Sequence, residues 1–548
     1  MSDPKDEWYI GSVDRLWPRR LLDTVSLVSH ERRDGNIYND EKEPNYSIIS
    51  YTWGRFALPD ASKEAARLPI GGIKWKIPAI DPRFFTQDKF RQVINKTREM
   101  SGNRFLWLDI ACIDQEDYKT KMEEVGRQAG IFANAGMAFT WLWTASTEKL
   151  RVTLEDVFES RQISKPIDSA MPDSKVGNWL NHLQQAVDTV LNDCWFSSLW
   201  TLQEQGLRPD AVILSRDAEP VRMGYPLPNT KFHWIASIDR LYLVQSVLEQ
   251  GVFGNEQLKT TANEIRDRIC KAGYAKKMSF SGNPNTMFTL AYQRQATNQL
   301  DRIYGIMALY NIQVGAAANG ADVARQYSLS ELEDEFTRAL NSKSSFLGQS
   351  FLHIEKPSPG RSWKITQHAR VPDICRWPRS NAISLDDCLL EAHPSGTMKI
   401  TASTTSFSSL IGFWKARVLQ FSDEEFGADQ LLVAVDDYVC REHSPIPLFD
   451  YEEGEPTEKT FNRTKKTVFG ILETFDSNRL SVMRLGGFEW NPWSMMNMFG
   501  LLVLHDAQDR YQCQRLGICR WEGDIFDIPE SVEALRPSFE HRYTGVLH

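Results

Sequence analysis

The first third of the chain alternates short apolar runs with segments of helical spacing. Residues 46–51 form a short apolar run that ends at a Thr-Trp-Gly turn, and residues 105–113 are almost unbroken apolar residues. Such a run is typical of a strand buried on both faces of a parallel sheet. Apolar residues at helical spacing follow over about 121–135, and 138–143 reads as the next strand. This order predicts a parallel sheet in which 105–113 lies centrally beside the other two strands.

The pattern changes in the C-terminal third of the chain, where the apolar runs become shorter and more frequent. Short runs of this kind predict a β-rich domain. The acidic stretch 436–458 is most simply a solvated loop. The strands predicted for this region are 398–401, 416–421, 431–435, 468–472, 501–504 and 516–519.

A chain of 548 residues is too long for one hydrophobic core, so more than one domain is expected. The pattern changes four times along the chain: a polar start is followed by the α/β pattern, a helical stretch, a Gly- and Pro-containing stretch and finally the short strands. The predicted parts are an N-terminal arm (1–43), an α/β domain (44–215), its helical extension (216–312), a linker region (313–365) and the β-rich C-terminal domain (366–548).

Composition argues against nucleic-acid-binding, membrane and secreted proteins. The 63 Lys and Arg are balanced by 72 Asp and Glu and form no basic stripe, which argues against nucleic-acid binding. No apolar run approaches the ~20 residues needed to cross a bilayer, and the N-terminus lacks the pattern of a signal peptide. The eight cysteines are scattered without a CxxC pair, which fits a reducing compartment. We therefore expect a soluble, cytoplasmic protein without a membrane segment.

The motifs of most common enzyme classes are absent. The chain has no Walker-type phosphate loop, GxGxxG, GxSxG, HExxH or EF-hand pattern, and its ten histidines lack ligand spacing. The sequence therefore predicts no metal site and leaves either less familiar chemistry or a binding role.

Four blocks of residues stand out together: ISYTWG at 49–54, a segment from LWLD through CIDQ and IFANA to WL at 106–142, WTLQE at 200–204, and DRIYGI at 301–306. Their order and spacing resemble the fungal HET (heterokaryon incompatibility) domain. The resemblance covers roughly 44–215, with a family-like tail to about 312. HET domains are in turn similar to TIR domains, which implies a TIR/flavodoxin-like parallel sheet.

The resemblance also implies a site. Many TIR domains carry Ser-x-Trp-Cys-x-x-Glu, and some use its glutamate to cleave NAD. Ser198, Trp200 and Glu204 have that spacing here, with Thr201 in place of the cysteine. The chain departs from the usual HET pattern at Ser198, where an arginine is common, and Phe132 replaces a usual tyrosine.

Glu204 has two interpretations. A carboxylate beside the ribose of NAD would stabilise oxocarbenium character after nicotinamide leaves, as in glycoside hydrolysis. Thr201 and Glu204 also have the spacing of a capping box, in which the glutamate would only support the start of a helix. The resemblance favours catalysis by Glu204.

Other polar and aromatic residues are candidates for substrate binding. Asp109 and Asp114 follow the end of a strand, where open α/β sheets bind ligands, although both side chains could instead cap turns. Ser50 and Tyr51 end the first strand of the sheet and are expected to face the same crevice. Trp53 could stack on a base or on the nicotinamide ring, but a tryptophan beside a glycine turn is more often a core residue, and Trp200 is also expected in the core.

The leading hypothesis is a TIR-like NAD glycohydrolase that acts in programmed cell death, heterokaryon incompatibility and fungal immunity. It would release nicotinamide and ADP-ribose from NAD, with no cofactor beyond that substrate, and transfer to another acceptor or cyclisation is equally compatible with the site. Self-association and a protein partner for the C-terminal domain are expected. One alternative is a death-signalling module that self-associates without catalysis. Another is a regulator that binds NAD or a related nucleotide without turnover.

Overall fold

The structure is a computed structural model that divides into two compact units. The first comprises Met1–Ser279 and Leu290–Leu332, and the second Phe280–Thr289 and Glu333–His548. Within the described part of the chain, no helix is both long and apolar enough to cross a membrane. The residues described are 16–53, 57–58, 66–154, 172–222, 233–235, 238, 241–272, 283, 285–322, 324–375, 388–393, 395–420, 431–448, 457–489, 496–522, 539 and 541–548.

The first unit is built on a six-stranded sheet with the strand order β2-β1-β6-β5-β7-β8. Strands β6, β5, β7 and β8 are parallel to one another, and β1 is antiparallel to both of its neighbours. The strands of this unit, including a separate β3–β4 pair, are β1 (Arg20–Asp23), β2 (Val28–Glu31), β3 (Ile37–Tyr38), β4 (Glu41–Lys42), β5 (Tyr46–Ser50), β6 (Phe105–Trp107), β7 (Met137–Trp141) and β8 (Val212–Leu214).

The helices in the chain up to residue 304 connect and flank these strands. They are α1 (Gln87–Ser101), α2 (Asp109–Cys112), α3 (Tyr118–Gly126), α4 (Gln128–Asn134), α5 (Thr147–Thr153), α6 (Asp173–Leu191), α7 (Leu199–Leu207), α8 (Leu241–Gln250), α9 (Glu256–Lys271), α10 (Asn285–Ala291) and α11 (Asp301–Tyr304).

The parallel sheet predicted from the sequence is confirmed, with differences in its detail. Strand β6 pairs in parallel with β5, but β7 also pairs with β5, so β5 rather than β6 lies between the other two predicted strands. The apolar run 105–113 is a strand only over its first three residues and continues as α2. Because Ile110, Ala111 and Cys112 of α2 are buried as well, the apolar run alone could not separate strand from helix. Residues 20–31, expected to be part of a polar arm, supply strands β1 and β2.

Helices cover both faces of the parallel strands. On one face, Phe90 of α1 stacks on Trp141 of β7 with ring centroids 5.4 Å apart. On the other, Phe132 of α4 packs edge-on against Trp107 of β6 at 5.6 Å. The helical segment predicted over 121–135 is interrupted between α3 and α4. At its first glycine, Gly126, a Cβ would lie 2.4 Å from the carbonyl oxygen of Ala317, so this backbone contact requires glycine.

The second unit contains a larger, mainly antiparallel sheet with the order β11-β12-β14-β15-β16-β13, and β17 pairs with both β12 and β16. Its strands, with a separate β9–β10 pair, are β9 (Leu352–His353), β10 (Ala369–Arg370), β11 (Cys388–Ala392), β12 (Met398–Ser406), β13 (Leu431–Val435), β14 (Leu480–Glu489), β15 (Met496–His505), β16 (Gln512–Glu522) and β17 (His541–Leu547). The remaining helices, the first of which begins in the first unit, are α12 (Leu329–Lys343), α13 (Ser345–Gln349), α14 (Phe407–Gln420), α15 (Asp437–Glu442) and α16 (Thr457–Thr474).

The β-rich character of the C-terminal region is confirmed, but two predicted strands are wrong. The described residues of 416–421 lie in α14, and 468–472 lies in α16. Helices α14 and α16 each bury a face against the sheet, because Leu410, Ile411 and Trp414 of α14 belong to one hydrophobic cluster with Val468 of α16. The acidic stretch 436–458 is not only a loop, since it contains α15; part of it lies outside the described residues.

Candidate functional site

The candidate site lies where the parallel strands β5 and β6 end. Ser50 is the last residue of β5 and Tyr51 follows it, whereas Asp109 begins α2 two residues beyond β6. Parallel strands in register have their carboxyl ends at the same edge of the sheet, where open α/β sheets bind ligands. The sequence therefore brings a hydroxyl, a phenol and a carboxyl group to one edge.

Asp109 is held by three donors. The Tyr51 hydroxyl donates to its Oδ1 at 2.8 Å, and the backbone N–H of Ile110 donates to the same oxygen at 2.7 Å. The Trp53 side chain also hydrogen-bonds this carboxyl group. Burial nevertheless raises the pKa of Asp109 to about 6, because the desolvation of the carboxylate outweighs these hydrogen bonds.

Glu204 lies within helix α7, and the start of that helix does not form the capping box. Ser198 is the N-cap residue, so Thr201 is the third residue of the helix rather than its cap. The Thr201 hydroxyl donates to the carbonyl oxygens of Trp195 and Ser198. The carboxyl group of Glu204 therefore does not cap the start of α7.

That carboxyl group lies beside Ser50 and Asp109. Ser50 hydrogen-bonds Glu204, whereas Oε2 of Glu204 is buried and has no hydrogen-bond partner among the described residues. Burial raises the pKa of Glu204 to about 8, and the nearby charge of Asp109 acts in the same direction. A buried polar atom without a partner costs ~1–3 kcal/mol, so this arrangement opposes folding.

A rigid turn orients the Ser50 hydroxyl. The indole N–H of Trp195 donates to Ser50 Oγ at 2.7 Å, which leaves the serine proton for Glu204. Trp195 belongs to a short 3₁₀ helix, Cys194–Ser197, whose cap residue Asp193 accepts the Trp195 backbone N–H at 3.0 Å. Arg294 is buried and donates to the carbonyl oxygens of Trp195 and Ser198, at 3.2 Å each. The turn before α7 is thus fixed from two sides.

Trp200, on the same helix as Glu204, makes a hydrogen bond to a further, partly buried carboxyl group. The two residues are four positions apart in α7 and share a helix face. The Trp200 indole N–H donates to Oδ2 of Asp301 at 3.2 Å. Burial raises the pKa of Asp301, and the charge of Lys121 on α3 lowers the pKa of both Asp301 and Asp109.

Two candidate residues have other surroundings. Asp114 accepts the backbone N–H groups of Glu116 and Asp117 through Oδ1, at 3.0 Å each, in the turn that precedes α3. Ser198 is partly buried at the start of α7, where its side chain makes no cap hydrogen bond. The structure therefore gathers Ser50, Tyr51, Trp53, Asp109 and Glu204, and Trp200 lies on the same helix face as Glu204.

The sequence analysis missed four residues around this cluster. Trp195, Arg294, Lys121 and Asp301 lie far apart in the chain and carry no shared motif. Only Asp301 had a signal, because it begins the fourth block of the family pattern. Its hydrogen bond to Trp200, across 101 positions, depends on tertiary packing that no local pattern encodes.

Part of the first unit matches a known protein family. The family model described as heterokaryon incompatibility protein (HET) matches residues 46–204, from the first residue of β5 to Glu204. This part of the chain is therefore similar to the HET domain, a domain of heterokaryon incompatibility. Neither the curated proteins nor the solved structures contain a match to the chain.

Proposed function

We propose that this protein is a TIR-like NAD glycohydrolase that cleaves NAD into nicotinamide and ADP-ribose during programmed cell death. Glu204 is the catalytic carboxylate. The observation that carries the proposal is its buried Oε2, which has no partner among the described residues, at the carboxyl edge of a parallel sheet. A group that opposes folding in this position is typical of a catalytic site.

The sheet topology supports the TIR-like assignment. Counted in chain order, the parallel strands β5, β6, β7 and β8 are arranged as 2-1-3-4. This is the beginning of the flavodoxin-like strand order, in which a ligand lies at the carboxyl ends of the strands near strand 1. Ser50 and Tyr51 follow that strand here.

The chemistry follows from the charge of the substrate. The nicotinamide ring of NAD is cationic, so when the bond from C1′ of the ribose to the ring nitrogen breaks, both electrons neutralise the leaving ring. Ionised Glu204 stabilises the positive charge that develops on the ribose. Water then adds its oxygen to C1′ and releases a proton. Asp109, fixed by Tyr51 and Trp53, is available to orient a ribose hydroxyl.

The high pKa of Glu204 in the free protein fits this role. The group is mostly protonated at neutral pH, which limits the cost of its burial. A bound cation favours the ionised form, so the charge is developed mainly when NAD occupies the site. Trp195, through Ser50, keeps a hydrogen bond available to the carboxylate.

The proposal includes assembly. Few cations surround the described site, so we propose that self-association in the cytoplasm completes it and that the C-terminal unit binds a protein partner. No metal and no further cofactor takes part in this mechanism. Activity should then rise faster than linearly with protein concentration.

Incubation of the purified full chain with NAD at pH 8, over a hundredfold range of protein concentration, tests this function. We expect nicotinamide and ADP-ribose in equal amounts, with higher specific activity at high concentration. The surface variant Glu99→Gln, which alters an exposed carboxyl group on α1, should behave as wild type. Saturable NAD binding without nicotinamide would favour a regulator, and neither binding nor cleavage would favour a non-catalytic signalling module.

A further inference from the structure

Helix α7 is exposed on one side only. Seven of its nine residues are buried, and the two that are partly exposed are Trp200 and Glu204. These two residues are four positions apart, so their side chains lie on the same helix face with Cβ atoms about 5–6 Å apart. A ligand that reaches Glu204 along this face therefore also meets Trp200.

Asp301 lies at the outer end of the Trp200 side chain, whose indole N–H donates to Oδ2 of Asp301 at 3.2 Å. Asp301 begins α11, which packs closely on the start of α7. At Gly305, directly after α11, a Cβ would lie only 3.1 Å from Cγ of Leu199. The backbone N–H of Leu199 also donates to the carbonyl oxygen of Gln295 at 3.0 Å. Packing and hydrogen bonds thus fix Asp301 beside the exposed face of α7.

The second carboxyl oxygen of Asp301 is available to a ligand. Asp301 is partly exposed, and within the described ranges its carboxyl group accepts one hydrogen bond, from Trp200, and forms no ion pair. The neighbouring cation, Arg302, is engaged elsewhere, because its guanidinium group donates to the carbonyl oxygens of Ala291 and Arg294. Burial raises the pKa of Asp301, so a bound cation would favour its ionised form.

We propose that Asp301 binds the positively charged nicotinamide ring of the substrate and makes the site selective for the oxidised over the reduced dinucleotide. The assignment rests on the proposed function, in which Glu204 acts at C1′ of the ribose that carries this ring. Because the ring is bonded to C1′, it would lie within about one helical turn of Glu204, on the face where Trp200 holds Asp301. Oδ1 of Asp301 would accept an N–H of the carboxamide, and its charge would favour the cationic ring over the neutral ring of NADH.

The ring loses its charge during the reaction, so Asp301 acts mainly on substrate binding. When the bond to C1′ breaks, both electrons stay with the ring, which becomes neutral and is no longer attracted to the carboxylate. Asp301→Asn should therefore raise KM for NAD without lowering kcat, whereas Glu204→Gln lowers kcat. This split separates a residue that binds the ring from one that stabilises the ribose.

Two small probes that cannot be hydrolysed at a ribose test the assignment independently of turnover. They are 1-methylnicotinamide, which carries the ring charge, and nicotinamide, which does not. Ligand-observed NMR titrations of the full chain at pH 8 measure both affinities. Asp301→Asn keeps the size and a hydrogen-bond acceptor but removes the charge, so it should weaken 1-methylnicotinamide about tenfold and leave nicotinamide unchanged.

Two further variants control for structural effects. Asp301→Glu keeps the charge and should retain most of the preference for 1-methylnicotinamide. Asp88→Asn should behave as wild type, because Asp88 also lies in the first turn of a helix but is exposed.

Unchanged affinity for 1-methylnicotinamide in Asp301→Asn, or equal weakening of both probes, would overturn the assignment, as would a wild type that does not bind 1-methylnicotinamide. If wild type binds this cation through Asp301 but releases no nicotinamide from NAD, the proposed hydrolase function fails and the cation site stands. If NAD is cleaved while the affinities of both probes are independent of Asp301, the hydrolase function stands and the role of Asp301 fails.

Discussion

The two units surround a buried carboxyl group with different charges. In the second unit, Oδ1 of Asp436 accepts the backbone N–H of His353 at 2.9 Å, and Oδ2, which makes no hydrogen bond among the described residues, lies 3.5 Å from Nε of the fully buried Arg515. The guanidinium group of Arg515 also donates to Gln349 and lies 4.2 Å above the ring of Phe351. In the first unit, Oε2 of Glu204 is buried without any partner among the described residues.

Under the proposed function, this difference separates a structural charge from a catalytic one. Asp436 has the counter-charge of Arg515 and a backbone N–H donor beside it. Its removal would therefore destabilise the fold, and the intact pair needs no ligand to compensate its charge. Glu204 has a serine hydroxyl and a second carboxyl group nearby, and the latter disfavours its ionisation. Only a bound cation would fully compensate an ionised Glu204, and the cationic nicotinamide ribose of NAD is such a group.

The largest effect on stability is expected in the second unit. Asp436→Asn leaves Arg515 as a buried cation without its counter-charge, which typically costs ~3–5 kcal/mol. Hydrogen exchange of strands β13 and β16 should show the free energy of opening reduced by that amount. The control Glu442→Gln breaks an exposed ion pair with Lys356 and should cost ~0–1 kcal/mol. Equal, small effects of the two variants would contradict a structural role for the Asp436–Arg515 pair.

A strong pH dependence of catalysis is expected in the first unit. The free protein needs ionised Glu204, whose pKa is about 8, so kcat/KM for NAD should fall about tenfold for each pH unit below 8. The pKa of Asp109, about 6, should steepen the fall below pH 6. Nicotinamide release measured from pH 5.5 to 9 reports these values. A flat profile between pH 6 and 8 would argue that Glu204 is already ionised in the free protein.

A smaller effect, of opposite sign to that at Asp436, is expected for the stability of Glu204→Gln. The pKa of Glu204 is raised on folding, so wild type is fully stable below the unfolded pKa of about 4.5 and loses stability as pH rises toward 8. Glutamine does not ionise, so the variant does not lose this part of its free energy of unfolding as pH rises. The variant should gain on the order of 3–4 kcal/mol over wild type between pH 5 and pH 8.5. Denaturant titrations at both pH values measure it, and a difference that does not change with pH would contradict the raised pKa.

Elements with a strong local pattern could be predicted from the sequence. Strands β5 and β7 could be located from their apolar runs, and their parallel orientation follows from the helices between them. Their direct pairing could not be predicted, because the longer apolar run 105–113 indicates the central position instead. The spacing of Ser198, Trp200 and Glu204 indicates that α7 contributes to the site. Ser50, Tyr51 and Asp109 are predicted at the carboxyl edge of the sheet, which Glu204 also adjoins. These predictions rest on one or two neighbouring elements, which local sequence determines.

The failures have a common physical cause. In α16 the apolar residues of one buried helical face, Val468 and Ile471, fall within a short apolar run that resembles a strand. The hydrogen bonds of Trp200 and Arg294 join elements far apart in the chain, and no spacing records them. The capping-box interpretation required α7 to begin at Thr201. The helix begins three positions earlier, with Ser198 as its N-cap, so Thr201 is not the cap residue.

Nicotinamide release by Glu204→Gln tests the central claim most directly. The variant keeps the size of the side chain and removes its charge, and loss of one preorganised electrostatic contact typically costs ~10²–10³ in rate. At pH 8 and equal protein concentration, the account predicts that Glu204→Gln releases nicotinamide from NAD at least about a hundredfold more slowly than wild type. A variant that retains more than about a tenth of the wild-type rate, a loss far below the ~10²–10³ expected, would contradict the assignment of Glu204 as the catalytic carboxylate.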